Sequence, residues 1–142
     1  MRKHPFDSTK VVQMHPAGNF AASSDTDMAA MVDVSGWEYA TIIVNAGALE
    51  GAVTVDYEEF ATDVVGSATA VSGAQITFLA TEDNTVKAMV INLRDKQKFG
   101  SVRVQNGAGV GGSDLGVTMV LSRPIDTTYD KLSTDEPVIA VD

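Results

Sequence analysis

The stretch "GWEYATIIVNAGALEGAVTVDYEE", residues 36–59, holds two apolar-rich runs separated by a short segment with two glycines. In the first run, residues 39–45, apolar side chains recur at every second position. In the second run, residues 52–60, Val53, Val55 and Tyr57 alternate with polar residues. A period of two is typical of β-strands that bury one face. We therefore expect a β-hairpin, with the glycines supplying the positive φ angles that tight turns need.

The same pattern recurs along much of the chain, and no segment combines a helical period with capping residues. Short strands separated by Gly, Asn, Asp and Ser are typical of β-sandwiches and barrels. The sequence therefore predicts an all-β protein, an antiparallel β-sandwich of about seven or eight strands, either jelly-roll or immunoglobulin-like. The predicted strands are 28–34, 39–45, 52–60, 75–80, 86–93, 99–105 and 115–121.

Three regions follow from this pattern. Residues 1–27 are polar and contain two prolines, so we expect an extended N-terminal arm, either without fixed structure or ordered against a neighbouring subunit. Residues 28–124 form the predicted β-sandwich domain. Residues 125–142 form an acidic C-terminal tail in which residues 138–141 are a possible additional strand.

Length and composition restrict the classes of protein. A chain of 142 residues is the size of one domain, and the absence of Cys excludes disulfides, a thiol nucleophile and thiolate metal sites. The net charge is −9, although residues 1–24 carry +2. An acidic body disfavours binding to nucleic acid or to an anionic membrane. The N-terminus lacks the apolar core of a signal peptide, and we expect a soluble protein made without export.

Catalytic and metal-binding residues are not predicted. His4 and His15 both lie in the predicted arm, each beside a proline, whereas a catalytic base needs a rigid scaffold. The glycine-rich run "NGAGVGG", residues 106–112, precedes a predicted strand rather than a helix, which indicates a connecting loop rather than a phosphate-binding loop. We therefore expect no enzyme activity, no cofactor and no metal.

Carboxylates are concentrated at Asp56, Glu58 and Glu59. Asp56 and Glu58 share one face of the predicted strand, so both could approach a hard cation such as calcium. The alternative is a solvated face whose charges discourage edge-to-edge pairing of sheets.

The segment "LRDKQKFGSVR", residues 93–103, is the basic part of the predicted body. Its four cations stand against Asp95 alone. It is either a solvated turn between strands or a docking surface for an acidic region of a partner or a neighbouring copy. The candidate partner-binding residues are Arg2, Lys3 and Lys10 in the arm and Arg94, Lys96, Lys98 and Arg103 in the body.

Trp37 is the single tryptophan and directly precedes a predicted strand. A large aromatic side chain in this position is typical of a core anchor at the end of a sheet. The alternative is a ligand-stacking role with Tyr39 and Tyr57, as in a carbohydrate-binding sandwich.

Trp37 before "ATIIVNAGALEGAVTVDYEEF", then "DNTVKAMVINLRDKQKFGSVRVQ", then "DLGVTMVLSRP" resembles a group of small β-sandwich structural proteins of tailed phages and prophages. The resemblance covers roughly residues 34–124 and is to the capsid decoration, or cement, type. Residues 61–73 differ, because such proteins often carry a second Trp in a hairpin there.

The resemblance implies a non-enzymatic virion structural protein, made in the host cytoplasm, that binds the outer capsid surface at capsomer junctions. Its implied partners are the major capsid protein and further copies of itself, in a homo-oligomer such as a trimer, with no nucleic acid or membrane partner. A phage tail or cell-surface binding module of the carbohydrate-binding type is the alternative.

Overall fold

A computed structural model describes residues 9–20, 27–64, 66, 68–106, 112–123 and 138–141. Within these residues the chain is built from β-strands, and each predicted strand segment contains strand. The strands are β1 (Thr9–Phe20), β2 (Asp27–Met28), β3 (Val32–Asp33), β4 (Tyr39–Ala46), β5 (Val53–Phe60), β6 (Ala68–Phe78), β7 (Val86–Asn92), β8 (Phe99–Asn106), β9 (Ser113–Ser122) and β10 (Val138–Val141).

The strands form two antiparallel sheets. Sheet one has the order β1, β9, β4, β7, β10, and sheet two has the order β2, β8, β5, β6. Strand β3 also pairs with β8, at Val32 opposite Gly100, whereas β2 pairs at Asp27 opposite Val104. Strands β2 and β3 are thus two parts of one interrupted edge strand. The predicted antiparallel β-sandwich is confirmed.

The pairing order identifies the sandwich as a jelly roll rather than an immunoglobulin-like fold. With β2 and β3 counted as one and β10 set aside, eight strands remain in chain order. The first pairs with the eighth, the second with the seventh, the third with the sixth and the fourth with the fifth. This arrangement is a long antiparallel ribbon rolled into two sheets, the double-sheet jelly roll.

The predicted hairpin at residues 36–59 is wrong, although both of its strands exist. Strand β4 pairs with β7 and β9 in sheet one, whereas β5 pairs with β6 and β8 in sheet two. The segment Gly47–Ala52 therefore crosses between the sheets. Alternation in the sequence shows which face of each strand is apolar. It does not show which strands pair, because strands of both sheets bury their apolar faces against the opposite sheet.

Among the described residues, one buried cluster lies between the sheets. Strand β4 contributes Ala40, Ile42 and Val44, and β5 contributes Val53 and Val55, all with no exposed surface. Fully burying a Val, Leu or Ile side chain contributes about 1.5–3 kcal/mol. The alternation read from residues 36–59 therefore identifies the core, even though it does not identify the strand partners.

The interpretation of residues 1–27 as an arm outside the core needs correction for Thr9–Phe20. These residues form β1, which pairs along β9 with irregularities between Gln13 and His15 and between His15 and Gly18. Met14 and Phe20 belong to the buried cluster. The irregularities interrupt the alternation of apolar and polar residues, so the sequence does not predict this strand. Residues 1–8 lie outside the described residues, and the boundaries at 28–124 and 125–142 remain predictions.

The possible strand in the C-terminal tail is present as β10. It pairs antiparallel with β7, with Val138 opposite Ile91 and Val141 opposite Ala88. It thereby adds a fifth strand to sheet one.

Candidate partner-binding surface

The connections between the sheets alternate between the two ends of the sandwich. Residues 34–38, before β4, and residues 93–98, between β7 and β8, meet at one end. There they line a cavity of about 320 Å³. Trp37 and three predicted cations line this cavity, and Arg123, which follows β9, lies over the Trp37 ring. We call this surface the basic end, and its cations and aromatic ring are Trp37, Arg94, Lys96, Lys98 and Arg123. Two carboxylates lie at the same end, Glu38 in the lining of the cavity and Asp95 in the loop.

The loop at residues 93–98 is held by hydrogen bonds to its neighbours. The Asn92 side-chain oxygen accepts from the Arg94 amide at 3.0 Å, and the Lys96 amide donates to the Leu93 carbonyl at 3.1 Å. A Glu59 carboxylate oxygen accepts from the Gln97 amide at 2.8 Å. Because these bonds fix the backbone, the cations of the loop are presented at defined positions around the cavity.

Trp37 is held in place from both sides. Its amide donates to the Val34 carbonyl at 3.2 Å after a turn in which Gly36 has a φ of 80°, a value that favours glycine. The ring packs partly against the core, and the Arg123 guanidinium lies 4.6 Å from the ring centre. This is a cation–π contact, which keeps a positive charge beside the cavity.

Lys98 and Lys10 meet Asp33 at the same end. The Lys98 Nζ lies 3.8 Å from the Asp33 Oδ2 and 5.2 Å from the centre of the Phe99 ring. Hydrogen bonds from the hydroxyl and amide of Ser35 lower the pKa of Asp33, and the charges of Lys98 and Lys10 lower it further. The Lys98–Asp33 pair is solvent-exposed, so it contributes little to stability and leaves Lys98 able to engage another anion.

Arg103 does not line this cavity, and its role as a partner-binding residue stays a prediction. Its Nη2 lies 3.0 Å from the Glu58 carboxylate. Asp56 lies opposite Arg103 in the pairing of β5 with β8. Burial raises the pKa of Glu58, an effect that Arg103 opposes and Asp56 reinforces. Arg103 therefore neutralises a buried carboxylate.

The remaining predicted cations divide by position. Lys10 is exposed on β1 and acts electrostatically on Asp33 at the basic end. Arg2 and Lys3 lie outside the described residues. Sequence reasoning missed Arg123, because it follows the last predicted strand and has no cation beside it. Only the strand pairing brings it there, because Ser122 at the end of β9 and Asn92 before the loop both lie opposite Tyr39.

The carboxylates of β5 do not form one site. Glu58 pairs with Arg103, whereas Glu59 accepts the hydrogen bond from Gln97. Strand β5 lies between β6 and β8, so the interpretation of these charges as edge protection is wrong. Within the described residues, no group of three or more His, Asp or Glu side chains is arranged to hold a metal ion.

The alternative role of Trp37, an aromatic stacking surface shared with Tyr39 and Tyr57, is not supported by the structure. The side chain of Tyr57 is 1% exposed and belongs to the core cluster. Trp37 and Tyr39 are half-buried. Because Tyr57 faces the opposite sheet, a planar ligand could not stack on all three rings.

His15 is a structural residue of β1 rather than part of an arm. It is buried, its Nε2 lies 3.1 Å from the Val102 carbonyl oxygen, and its ring meets Phe20 edge to face at 5.3 Å. Beside it, an open depression of about 380 Å³ runs along β1, β4 and β9. His15 thus ties β1 of sheet one to β8 of sheet two.

The outer face of sheet one is free of charge over two rows that cross β1, β9, β4 and β7. The rows are Val11, Val120, Thr41, Val90 and Gln13, Thr118, Ile43, Ala88. From strand and residue spacings this area measures about 270 Å². A stable interface buries about 800 Å² on each partner. These rows alone are therefore too small to form an interface.

Within the described residues, the chain has no helix with the length and apolar character needed to cross a membrane. No family model matches the chain, and no curated protein matches it.

Several solved structures match the chain at TM-scores below 0.5. A structure of Bacillus endospore appendages, a family of disulfide-linked pili, has a TM-score of 0.46 at 16% identity, covering 82% of this chain and 91% of that chain. Tobacco streak virus coat protein has a TM-score of 0.44 at 14% identity, covering 92% of this chain and 98% of that chain. PirA has a TM-score of 0.39 at 14% identity, covering 85% and 98%. Likeness at this level carries no argument about function.

Proposed function

We propose that this chain is a non-enzymatic capsid decoration protein, which binds the outer surface of a phage shell at capsomer junctions and stabilises it. Its partners in this proposal are the major capsid protein and neighbouring copies of itself. The motif resemblance over residues 34–124 raised the proposal. A jelly roll is compatible with it, although this fold also serves lectins and enzymes.

The observation that carries the proposal is the basic end. Three cations predicted to bind a partner line one cavity at one end of the sandwich, together with Trp37 and Glu38, and Arg123 lies over the Trp37 ring. In a chain with a net charge of −9, a local group of cations gives the molecule a preferred orientation towards an acidic surface. We assign this end to contact with the shell.

Carboxylates outnumber cations at the opposite end, where Lys87 pairs with Glu82 at 3.1 Å. The connection between β4 and β5 contains Glu50, that between β6 and β7 contains Glu82 and Asp83, and β9 begins beside Asp114. With the basic end on the shell, these carboxylates would point away from it. Repulsion from an acidic shell would then disfavour the reversed orientation.

The N-terminus extends the same surface in this proposal. Strand β1 begins at Thr9, which lies opposite Ser122, the residue before Arg123. The first described residue of β1 therefore lies at the basic end, and the sequence before it contains Arg2, Lys3 and Asp7. These two cations would add to the contact with the shell.

The test is the copy number of this chain in purified particles, measured by quantitative mass spectrometry against the major capsid protein. A copy number comparable to that of the major capsid protein is expected for a decoration protein. A few copies per particle would contradict decoration and indicate a tail or neck protein. Absence from the particles would overturn a virion role.

A further inference from the structure

Strand β10 lies at the edge of sheet one, and β7 is the strand it pairs with in the described part of the chain. We propose that β10 is exchanged between copies, so that the C-terminal strand of one chain pairs with β7 of a second chain. This inference rests on the proposed function, because exchange needs copies held side by side.

The first support is the length of the chain before β10. Residues 123–137, 15 residues, join Ser122 at the end of β9 to Val138 at the start of β10. Ser122 and Val138 lie near the same end of sheet one, three strand spacings apart, or about 14 Å. An extended connection of this length reaches about 50 Å. The connection is therefore several times longer than a path to its own β7 requires.

The second support is the nature of the edge that β10 covers. Without β10, β7 would present unpaired backbone groups, and its one charged residue is Lys87. Strand edges in proteins are usually protected by charges, prolines or bulges. Strand β7 has no proline, and its register against both β4 and β10 is regular. Apart from Lys87 it has none of these protections, and it accepts a strand along residues 88–91.

Concentration decides between the two pairings. An exchanged β10 makes the same backbone ladder as one returned to its own chain, so exchange sacrifices no contact. A connection of this length gives the strand an effective concentration in the millimolar range at its own β7. Isolated chains should therefore keep β10, whereas chains crowded on a lattice at comparable concentration should exchange it.

The test uses the absence of cysteine from the chain. Ala88 and Val141 lie opposite each other in the β7–β10 ladder. Single variants Ala88→Cys and Val141→Cys are mixed, refolded together at about 1 mM, the scale of the competing effective concentration, and oxidised. Exchange places the two thiols opposite each other and so favours a disulfide between the two variants, whereas chance collisions give mixed dimers at the level that a control measures. The matched control pairs Val141→Cys with Val11→Cys, since Val11 is exposed on β1 at the opposite edge of the same sheet.

The double variant Ala88→Cys/Val141→Cys, oxidised when dilute, shows that the pair can bond within one chain. We expect that monomeric disulfide, and at least a tenfold excess of mixed dimers over the control in the concentrated mixture. If the double variant forms its monomeric disulfide but the mixture gives no excess over the control, exchange is overturned. Because no shell is present, the result is independent of the copy number in particles. A chain that decorates shells without exchange loses only this inference.

Discussion

Tyr57 and Gly100 show how one residue limits another in this core. A methyl group added at Gly100 would lie 2.0 Å from the Tyr57 hydroxyl and 2.6 Å from the ring carbon that bears it. The ring therefore occupies the space beside a glycine of the neighbouring strand. Burial raises the pKa of Tyr57, so the hydroxyl stays protonated, and it has no hydrogen-bond partner within the described residues.

We expect Gly100→Ala to lower the free energy of unfolding by about 1–3 kcal/mol, because a buried ring must move. Tyr57→Phe should change it by less than about 1 kcal/mol, since the hydroxyl that is removed makes no hydrogen bond. The double variant Gly100→Ala/Tyr57→Phe should recover part of the lost stability, because it lacks the hydroxyl oxygen that lies closest to the added methyl group. Urea unfolding monitored by circular dichroism measures all three. Equal stability of Gly100→Ala and the parent chain would contradict the close approach.

The Glu58–Arg103 pair makes a prediction about pH. Arg103→Met leaves a buried carboxylate without its cation, which should raise the pKa of Glu58 further. Only 26% of the Arg103 side chain is exposed. We expect a loss of about 1–2 kcal/mol at pH 7, below the 3–5 kcal/mol typical of fully buried pairs, because the pair is partly solvated.

Proton linkage determines how the stability deficit of Arg103→Met changes with pH. A carboxyl group with a raised pKa in the folded state favours folding below its unfolded pKa, and that contribution is lost as the pH rises through the folded pKa. The deficit of Arg103→Met should therefore be smaller at pH 4 than at pH 7. Adding Glu58→Gln should remove this pH dependence. A deficit that is constant from pH 4 to pH 7 would show that Arg103 acts through packing instead.

At the scale of elements, the position of β1 predicts different stabilities for two N-terminal truncations. Removing residues 1–8 leaves β1 intact and should change the free energy of unfolding by less than about 0.5 kcal/mol, the range of surface changes. Removing residues 1–20 takes Met14 and Phe20 from the core and exposes β9 as an edge, so we expect a much less stable chain or one that does not fold.

If the longer truncation does not fold, the variant Met14→Ala still allows the contribution of β1 to the free energy of unfolding to be measured. Met14 is buried in β1, and removing a buried Met side chain costs about 2–5 kcal/mol. Thermal unfolding of the three variants tests this assignment. A Met14→Ala chain as stable as the parent would mean that β1 contributes little to the core.

Local pattern predicted the strands but not how they pair. Residues 39–45 and 52–60 alternate clearly and are strands, because burial of one face fixes the period. Their partners are distant in sequence, as with β4 and β7, and a jelly roll makes almost every pairing non-local. Thr9–Phe20 escaped prediction because two irregularities break its period.

The candidate site was predicted in part for a related reason. Arg94, Lys96 and Lys98 stand together in the sequence because they occupy one turn, so composition alone located them. Arg103 stands in the same segment but lies inside β8, where it pairs with Glu58. Arg123 reaches the site from another strand end, and only the fold brings it to Trp37.

At the scale of the whole molecule, the uneven distribution of charge predicts which end attaches to an acidic shell. Replacing Arg94, Lys96 and Lys98 by Gln removes three positive charges from the basic end while keeping side chains that can hydrogen-bond. If this end contacts an acidic shell, attachment of the variant to shells stripped of this chain should weaken at least tenfold at 0.1 M salt, about 1.4 kcal/mol. Cosedimentation with the shells measures the attachment.

The control lowers the net charge equally but elsewhere. Ser72→Glu, Thr77→Glu and Gln105→Glu add three negative charges at exposed positions of β6 and β8. At about 1 M salt the Debye length falls from about 10 Å to about 3 Å, so the parent chain should lose the attachment that these cations provide. The Gln variant should then bind as weakly as the parent, while the control should follow the parent at both salt concentrations. Equal weakening of the Gln variant and the control would mean that net charge, and not the basic end, governs attachment.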